Sequence, residues 1–357
     1  FGSSLSVVFV AMSCKLVVLG AGGLVGARFC RIAVKHKEVD CGPSERLPLS
    51  KLCLVDMRDI SGSLEPEVAA DSRVRCMTGD LTDPQFLEQC IDPEGCTRVV
   101  VLHLAALLSG YAEENFDLGM QVNLQGPIGV MNAIRKLGET LGSPQVYVFV
   151  STDYVTCFNE QNKQNPTNEE SFRLSPVSYG VQKACVELLL CDYSRKGFID
   201  GRVFRLSAVL GRPGWSNSIS YPYTGIFTQP LEGKDYGVPL PMDIPYPCSD
   251  LNNNVEGLWH MCTALDGSKL DHNRVVQGPA KSYTLAQIWA ACQEVAKEET
   301  VPLGTIHAVQ AAEGTTTVKE INVCPFVDCA KAERLGFPMK VEIKEIIRDY
   351  IHNYVKK

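Results

Sequence analysis

The chain has 357 residues, of which 45% are hydrophobic and 21% are charged, and its formal net charge is −7. These values are those of an ordinary globular protein that is long enough to bury a large core, in one α/β domain or in two smaller ones. The negative charge and the absence of any Lys/Arg run argue against a nucleic-acid partner.

The cysteines and histidines indicate neither a disulfide framework nor a metal site. The fifteen cysteines are scattered without a CxxC pair, which is typical of buried, reduced thiols in a cytoplasmic protein. The six histidines lack the spacing of metal ligands. The apolar stretch before Lys15 is too short to cross a bilayer and no other segment is long enough, so we expect no membrane partner. Residues 1–11, which precede Met12, are interpreted as a leader or an expression remnant.

Short apolar runs alternate with longer, helix-like segments over the first 150 residues. The runs that predict strands are 14–20, 52–57, 73–80, 98–106 and 145–152. The segments that predict helices are 23–36, 83–91 and 122–138, and a further helix is predicted near 178. This alternation predicts an α/β fold with a Rossmann-type, doubly wound parallel sheet.

The composition changes after residue 205. Two segments, 211–233 and 237–248, are rich in Pro, Gly, Ser and aromatic residues, which is typical of loops that determine specificity. Helical patterns follow at 285–297 and 341–354. We therefore expect a Rossmann domain over 12–205 and a smaller C-terminal α/β substrate lobe over 206–357, some segments of which return to the first domain.

The sequence GAGGLVG follows the first predicted strand and precedes a helix. Its glycines Gly20, Gly23 and Gly26 permit a tight turn and let the backbone approach a pyrophosphate at the positive end of the helix. A glycine-rich turn without a ligand is the alternative. The order of strand, glycines and helix favours dinucleotide binding.

Two acidic residues end the next predicted strands. Asp56 is expected to bind the adenosine ribose and to repel a 2′-phosphate, which favours NAD over NADP, although Arg58 weakens that preference. Asp56 comes 30 residues after Gly26 rather than about 20 because a polar insert, 37–51, precedes its strand. Asp80 either meets the adenine or belongs to a helix N-cap region.

A further set of polar residues predicts proton transfer. Thr152 ends a strongly apolar strand, at the edge where open α/β sheets bind ligands. Tyr179 and Lys183 in SYGVQKA lie one helical turn apart. The alternative is a surface tyrosine beside a solvated lysine. Lys183 and an oxidised nicotinamide would lower the tyrosine pKa from about 10, so that Tyr179 takes the proton of a hydroxyl held by Thr152.

The motifs GAGGLVG, Asp56, GDLTD, HLAA, Asn123, VSTD, SYGVQKA and FRLSAVLGRPG occur in an order that resembles the extended short-chain dehydrogenase/reductases, the NAD-dependent epimerase/dehydratase family. The resemblance covers about residues 14–260 and implies NAD as cofactor. It also implies a homodimer in which the helices at 118–137 and 179–196 pair across a two-fold axis.

The same resemblance assigns roles to single residues. It implies that Thr152, Tyr179 and Lys183 are catalytic. The positions that it places along the cofactor are Gly20, Gly23, Leu24, Val25, Gly26, Asp56, Asp80, Leu81, Leu104, Ala105, Ala106, Asn123, Tyr179, Lys183, Ser207 and Val209.

Three segments, 107–126, 175–201 and 205–217, are similar to family members that oxidise a hydroxyl of a small sugar acid to an oxo acid with NAD. That similarity implies a set of substrate contacts: Ser109, Thr152, Tyr179, Arg212 and Asn217. Arg212 would bind the carboxylate. Many members carry another arginine near 244–250, where this chain reads IPYPCSDL, without a basic residue.

Two other functions stay open on the sequence. One is a nucleotide-sugar epimerase or dehydratase that retains its NAD. The other is a cofactor-sensing relative without catalytic activity, which the presence of both Tyr179 and Lys183 disfavours.

Overall fold

The computed structural model describes residues 12–40, 46–156, 165–310 and 324–356. The strands in these ranges are β1 (Cys14–Leu19), β2 (Glu38–Asp40), β3 (Arg46–Asp56), β4 (Val74–Thr78), β5 (Arg98–His103), β6 (Val146–Thr152), β7 (Asp200–Leu206), β8 (Ala208–Val209), β9 (Tyr236–Val238), β10 (Pro245–Ser249), β11 (Val275–Gln277), β12 (Lys281–Thr284) and β13 (Ile306–Ala308). The α-helices are α1 (Leu24–Lys35), α2 (Pro66–Ala69), α3 (Pro84–Ile91), α4 (Ser109–Glu114), α5 (Phe116–Gly119), α6 (Gly126–Leu141), α7 (Ser178–Arg195), α8 (Tyr221–Leu231), α9 (Leu251–Trp259), α10 (Leu285–Glu298), α11 (Ala330–Arg334) and α12 (Ile343–Tyr350).

Seven parallel strands form the main sheet in the order β11–β7–β6–β5–β1–β3–β4. All residues of β1 and β6 are buried, because helices cover both faces of the sheet. Helices α1 and α9 share one apolar core with one face, and α3, α6 and α7 share a second core with the other face. This arrangement confirms the predicted Rossmann-type α/β fold.

The second predicted strand is longer than its apolar run. β3 begins at Arg46 rather than at residue 52, and its first half pairs antiparallel with β2, where Val39 lies opposite Leu47. Leu47 and Leu49 are buried and alternate with exposed residues, so this half of the strand follows a two-residue period within a mostly polar segment. Residues 38–40 and 46–48 of the polar insert therefore pair as antiparallel strands at the edge of the sheet.

The chain after residue 206 contributes to two parts of the fold. Strands β8, β10 and β12 form a small sheet that packs with α8, α10 and α12 in a separate apolar core. Strand β11, by contrast, extends the main sheet beside β7, and α9 packs on α1. The C-terminal half thus builds a second lobe and also completes the Rossmann sheet.

Within the ranges that the structure describes, no helix combines the length and the apolar character that a membrane span requires. In the same ranges no disulfide joins two cysteines. No group of His, Cys, Asp or Glu residues there could hold a metal ion.

Candidate active site

A cavity of about 320 Å³ opens at the carboxyl edge of the parallel strands. Its walls come from the glycine turn after β1, the ends of β5 and β6, the first turns of α7, and residues 206–224. Ligands of open α/β sheets bind at this edge. The cavity contains most of the residues that the sequence assigned to cofactor and substrate.

The glycine turn is shaped for the close approach of a ligand. Gly20 has φ +89°, and a Cβ on it would lie 2.6 Å from the backbone nitrogen of Ala105. Gly23 precedes the first turn of α1, which has no side-chain cap, and a Cβ on Gly23 would contact only the carbonyl oxygen of Gly20. The N-terminus of α1 therefore faces the cavity with free backbone N–H groups, an arrangement that fits the pyrophosphate of a dinucleotide.

The two acidic residues proposed for the cofactor lie outside the cavity wall. The Asp56 carboxylate accepts a hydrogen bond of 2.9 Å from the backbone N–H of Gly22, which places it beside the glycine turn. Asp80 accepts a hydrogen bond of 2.8 Å from the N–H of Thr82 and is exposed, while Leu81 packs against the apolar core. Asp56 is thus the acid held at the turn, whereas Asp80 closes a local turn with Thr82, and the N-cap of α3 is Asp83.

Tyr179 and Lys183 occupy the first turns of α7 and both line the cavity. The Lys183 ammonium donates a hydrogen bond of 2.8 Å to the Val150 carbonyl and lies 5.7 Å from the centroid of the Tyr179 ring. Burial acts against the charged form of both groups. It raises the pKa of Tyr179 well above its ordinary value and lowers the pKa of Lys183 to about 7, although Glu187 opposes the second shift.

A buried ion-pair network lies one helical turn beyond Lys183. Glu187 accepts two hydrogen bonds from Arg205 on β7, at 2.8 and 2.7 Å, and one of 2.7 Å from Arg173. Burial raises the pKa of Glu187, but the two guanidinium groups and the nearby Ser151 hydroxyl outweigh it and hold the pKa below its usual range. The sequence analysis missed this network because its members are far apart in the chain.

The end of β6 places three polar side chains in the cavity wall, Ser151, Thr152 and Asp153. The Thr152 hydroxyl donates a hydrogen bond of 3.2 Å to Asp153 Oδ1 and accepts one of 3.2 Å from the Tyr154 N–H. Burial raises the Asp153 pKa to about 7, although the nearby hydroxyls of Ser207 and Thr152 lower it in part. Asp153 was not among the site residues expected from the sequence, although it follows Thr152 directly.

Two of the expected substrate contacts, Ser109 and Arg212, line the cavity. Ser109 is buried at the start of α4, where its hydroxyl accepts a hydrogen bond of 3.4 Å from the Ile219 N–H. Burial lowers the pKa of Arg212. Among the described residues, the Arg212 guanidinium has neither a hydrogen bond nor an ion pair. It is therefore available to an anionic ligand.

Asn217 and Asn123 lie behind the cavity wall. Asn217 accepts a hydrogen bond of 3.2 Å at its backbone carbonyl from the Gly110 N–H, and its side-chain amide donates one of 3.4 Å to Glu114. Asn123 accepts a hydrogen bond from the Leu107 N–H at 2.8 Å and donates one to the Leu107 carbonyl at 3.1 Å. In this structure each asparagine fixes a wall segment from outside.

The remaining expected cofactor positions surround the same space. Those that line the cavity are Leu24, Val25, Gly26, Leu104, Ala106, Ser207 and Val209, whereas Ala105 contacts the glycine turn from behind. The wall also contains residues that the sequence analysis did not select: Leu108, Tyr154, Ser216, Ser218, Ser220, Tyr221 and Thr224. The dense hydroxyl content of SNSISYPYT was the signal that could have found most of them.

Replacing Gly23 by Ala tests the cofactor cradle. The methyl group meets no side chain in the folded protein, so we expect an unchanged melting temperature without ligand. It would occupy the space where a pyrophosphate approaches α1, so we expect NAD affinity to fall by about tenfold or more, measured by calorimetry. Gly129→Ala on α6, whose Cβ would meet only Leu87, is the matched control and should bind NAD normally. Unchanged NAD affinity in Gly23→Ala would refute the cradle.

Comparison with known proteins identifies the family. Residues 16–220 match the model of the NAD dependent epimerase/dehydratase family. The chain is 32% identical over 346 residues to D-erythronate dehydrogenase of Cupriavidus necator, covering 95% of this chain and 98% of that one. It is 29% identical over 341 residues to D-erythronate dehydrogenase of Haemophilus influenzae, covering 94% and 98%.

The solved structures include a similar fold of comparable length. The crystal structure of a nucleoside-diphosphate-sugar epimerase from Agrobacterium tumefaciens superimposes with a TM-score of 0.79 at 28% identity, covering 97% of this chain and 96% of that one. The family model identifies the cofactor as NAD, and the glycine turn fits its pyrophosphate. The chain belongs to the NAD-dependent epimerase/dehydratase family, and it is an NAD-dependent oxidoreductase.

Proposed function

We propose that this protein oxidises a secondary hydroxyl of a small sugar acid, such as D-erythronate, to an oxo acid. The observation that carries the proposal is the desolvated Arg212 guanidinium, which lies in one cavity with Thr152 and Tyr179 and has no partner among the described residues. A partly desolvated cation without a counter-ion is costly, so an anionic ligand that enters the cavity gains a charge-assisted hydrogen bond. The two relatives named for D-erythronate support this substrate class.

The proposed catalytic residues have two roles, binding of the hydroxyl and transfer of its proton. Thr152 and Tyr179 hold the reacting hydroxyl, and Tyr179 takes its proton as the carbon–hydrogen bond breaks. Lys183, when protonated, stabilises the tyrosinate that performs this step. Bound NAD supplies the hydride acceptor, so the alcohol loses one hydride and one proton in total.

The size and lining of the cavity favour a short substrate. A volume of about 320 Å³ lies at the lower end of the range for ligand sites. The glycine turn, which would hold the cofactor, borders part of this volume. The cavity that contains Arg212 is also lined by serines, among them Ser109, Ser216, Ser218 and Ser220. This lining is complementary to the hydroxyls of a small sugar acid.

A substrate screen tests the proposal directly. The protein is incubated with NAD and with four- to six-carbon aldonates, and NADH is followed by its absorbance. Net NADH formation with an aldonate supports the proposal. Conversion of a nucleotide sugar without free NADH would identify an epimerase or dehydratase instead.

Tyr179→Phe removes the proposed base and keeps the ring. We expect kcat to fall by about 10²- to 10⁴-fold, the usual contribution of a general base. NAD affinity, measured by calorimetry, should change little because the backbone of the glycine turn is untouched. Substantial turnover by this variant would show that another group takes the proton.

Arg212→Gln removes the proposed carboxylate-binding group. A hydrogen bond to a charged group contributes about 1.5–3 kcal/mol, so KM for the aldonate should rise by about 10- to 100-fold while kcat changes less. Arg46→Gln, at an exposed arginine of β3, is the control and should leave KM unchanged. An unaltered KM in Arg212→Gln would place the carboxylate elsewhere.

We further propose that the protein is a homodimer that pairs through α6 and α7. The outer side of α7 exposes Val181, Leu188 and Leu189, with Leu188 57% exposed, and Leu118 is exposed just before α6. An exposed apolar stripe on a long helix is typical of a protein interface.

Leu188→Glu tests this arrangement. A charge in the centre of the proposed interface should convert the dimer to a monomer in size-exclusion chromatography with light scattering. Gln293→Glu on the exposed side of α10 adds the same charge far from α7 and should leave the dimer intact. A parent protein that elutes as a monomer would exclude the dimer altogether.

A further inference from the structure

Asp153 has an unusual place in the cavity. It is buried at the end of β6, its Oδ1 accepts a hydrogen bond of 3.2 Å from the Thr152 hydroxyl, and its Oδ2 is buried without a hydrogen-bond partner among the described residues. A carboxylate with an unsatisfied oxygen away from water is costly to maintain. Neither the comparisons nor the mechanism above gives this residue a role.

The backbone brings Asp153 close to the catalytic tyrosine. The turn Asp153–Val155 packs against α7, and Gly180 makes this possible, because a Cβ there would collide with the backbone carbonyl of Tyr154. Asp153 and Tyr179 therefore face one cavity from adjacent segments. A negative charge on Asp153 raises the pKa of Tyr179, in addition to the larger effect of burial.

The other titratable groups around Asp153 do not neutralise it. They are Tyr154 in the same turn, Tyr246 and Cys248 on β10, Arg205 on β7, and Lys183 on α7. Burial raises the pKa values of the two tyrosines and the cysteine, which keeps them neutral. Arg205 is already paired with Glu187, and Lys183 donates to a backbone carbonyl.

We propose that Asp153 is a positioning residue that acts through its two neighbours in the site: it orients the Thr152 hydroxyl, and its charge sets the pH at which Tyr179 can work as a base. The two acids face one low-dielectric cavity, so a negative charge on one disfavours a negative charge on the other. Ionised Asp153 therefore disfavours the Tyr179 tyrosinate that turnover requires. This inference rests on the proposed function, because it requires Tyr179 to act as the base.

The charge of Asp153 determines the direction in which the pH profile shifts when this residue is replaced. The pKa of Asp153 is raised by burial to about 7, so the carboxyl is largely ionised above that pH and opposes the loss of the Tyr179 proton. A neutral residue at 153 removes the opposing charge. The acid limb of the pH profile of kcat/KM for alcohol oxidation then moves to lower pH.

Asp153→Asn and Asp153→Ala separate charge from hydrogen bonding. Asn keeps an acceptor for Thr152 and removes the charge, so we expect the midpoint of the acid limb to move down by roughly one pH unit, with kcat retained at high pH. Ala should move the midpoint equally and also lower kcat several-fold, because Thr152 loses its acceptor. Asp153→Ser is a second neutral variant should Asn fail to fold, and melting temperatures establish which variants are folded.

Asp243→Asn is the matched control. Asp243 is exposed and lies outside the cavity, so the pH profile should match that of the parent. An unchanged or higher midpoint in both folded neutral variants would overturn the inference.

A second measurement does not depend on turnover. The tyrosinate absorbance of Tyr179 is obtained in the NAD complex as the difference between each protein and its Tyr179→Phe counterpart. The titration midpoint should be lower in Asp153→Asn than in the parent. A parent that oxidises no aldonate while the titration shifts as expected would refute the proposed substrate and leave the coupling intact, whereas equal midpoints would refute the coupling.

Discussion

The ion pair between Arg205 and Glu187 holds α7, the helix that carries Tyr179 and Lys183, against the sheet. Arg205 reaches from β7 to α7 with two hydrogen bonds, and both side chains are almost completely buried. Loss of one partner of such a pair costs about 3–5 kcal/mol, because the other charge is left buried without compensation. The position of Lys183, one turn before Glu187, depends on this contact.

The same pair fixes a segment that has no regular structure of its own. Arg205 also donates a hydrogen bond of 3.1 Å to the Asn168 carbonyl, and Arg173 bridges from this segment to Glu187. Glu169 accepts a hydrogen bond of 2.7 Å from the N–H of Gln277 on β11. One set of buried charges therefore joins β7, α7, β11 and the segment that leads into α7.

The low dielectric that strengthens this pair also shapes the reactivity of the cavity. Lys183 and Asp153 both have pKa values moved to about 7, in opposite directions from their ordinary values, and burial is the main cause in each case. The charge of the site therefore depends on what binds to it. An oxidised cofactor favours anionic side chains, and an anionic substrate favours cationic ones, so cofactor and substrate each change the protonation of the residues that act on the other.

The sequence predicted the parts of the molecule that depend on local pattern. Buried parallel strands read as continuous apolar runs, and the glycine turn requires glycines at Gly20 and Gly26, so the sheet, its first turn and the position of Tyr179 could be predicted. The start of β3 could not be predicted, because its buried residues alternate with exposed ones. The network at Glu187 and the outward position of Asn217 depend on partners far away in the sequence, and no local pattern encodes such contacts.

The segment IPYPCSDL shows why this part of the chain offers no second basic residue to the cavity that contains Arg212. Pro245–Ser249 is the strand β10, which pairs with β8 on one side and β12 on the other. Tyr246 on this strand stacks on Tyr223, with 4.8 Å between the ring centroids, and Ser249 donates a hydrogen bond of 3.2 Å to the Ser207 carbonyl beneath the cavity. Every side chain from Tyr246 to Ser249 is buried, so a basic residue there would bring an unpaired charge into the second core. The chain therefore uses this strand to support the cavity, and the anion binding that we propose falls to Arg212 in the loop that follows β8.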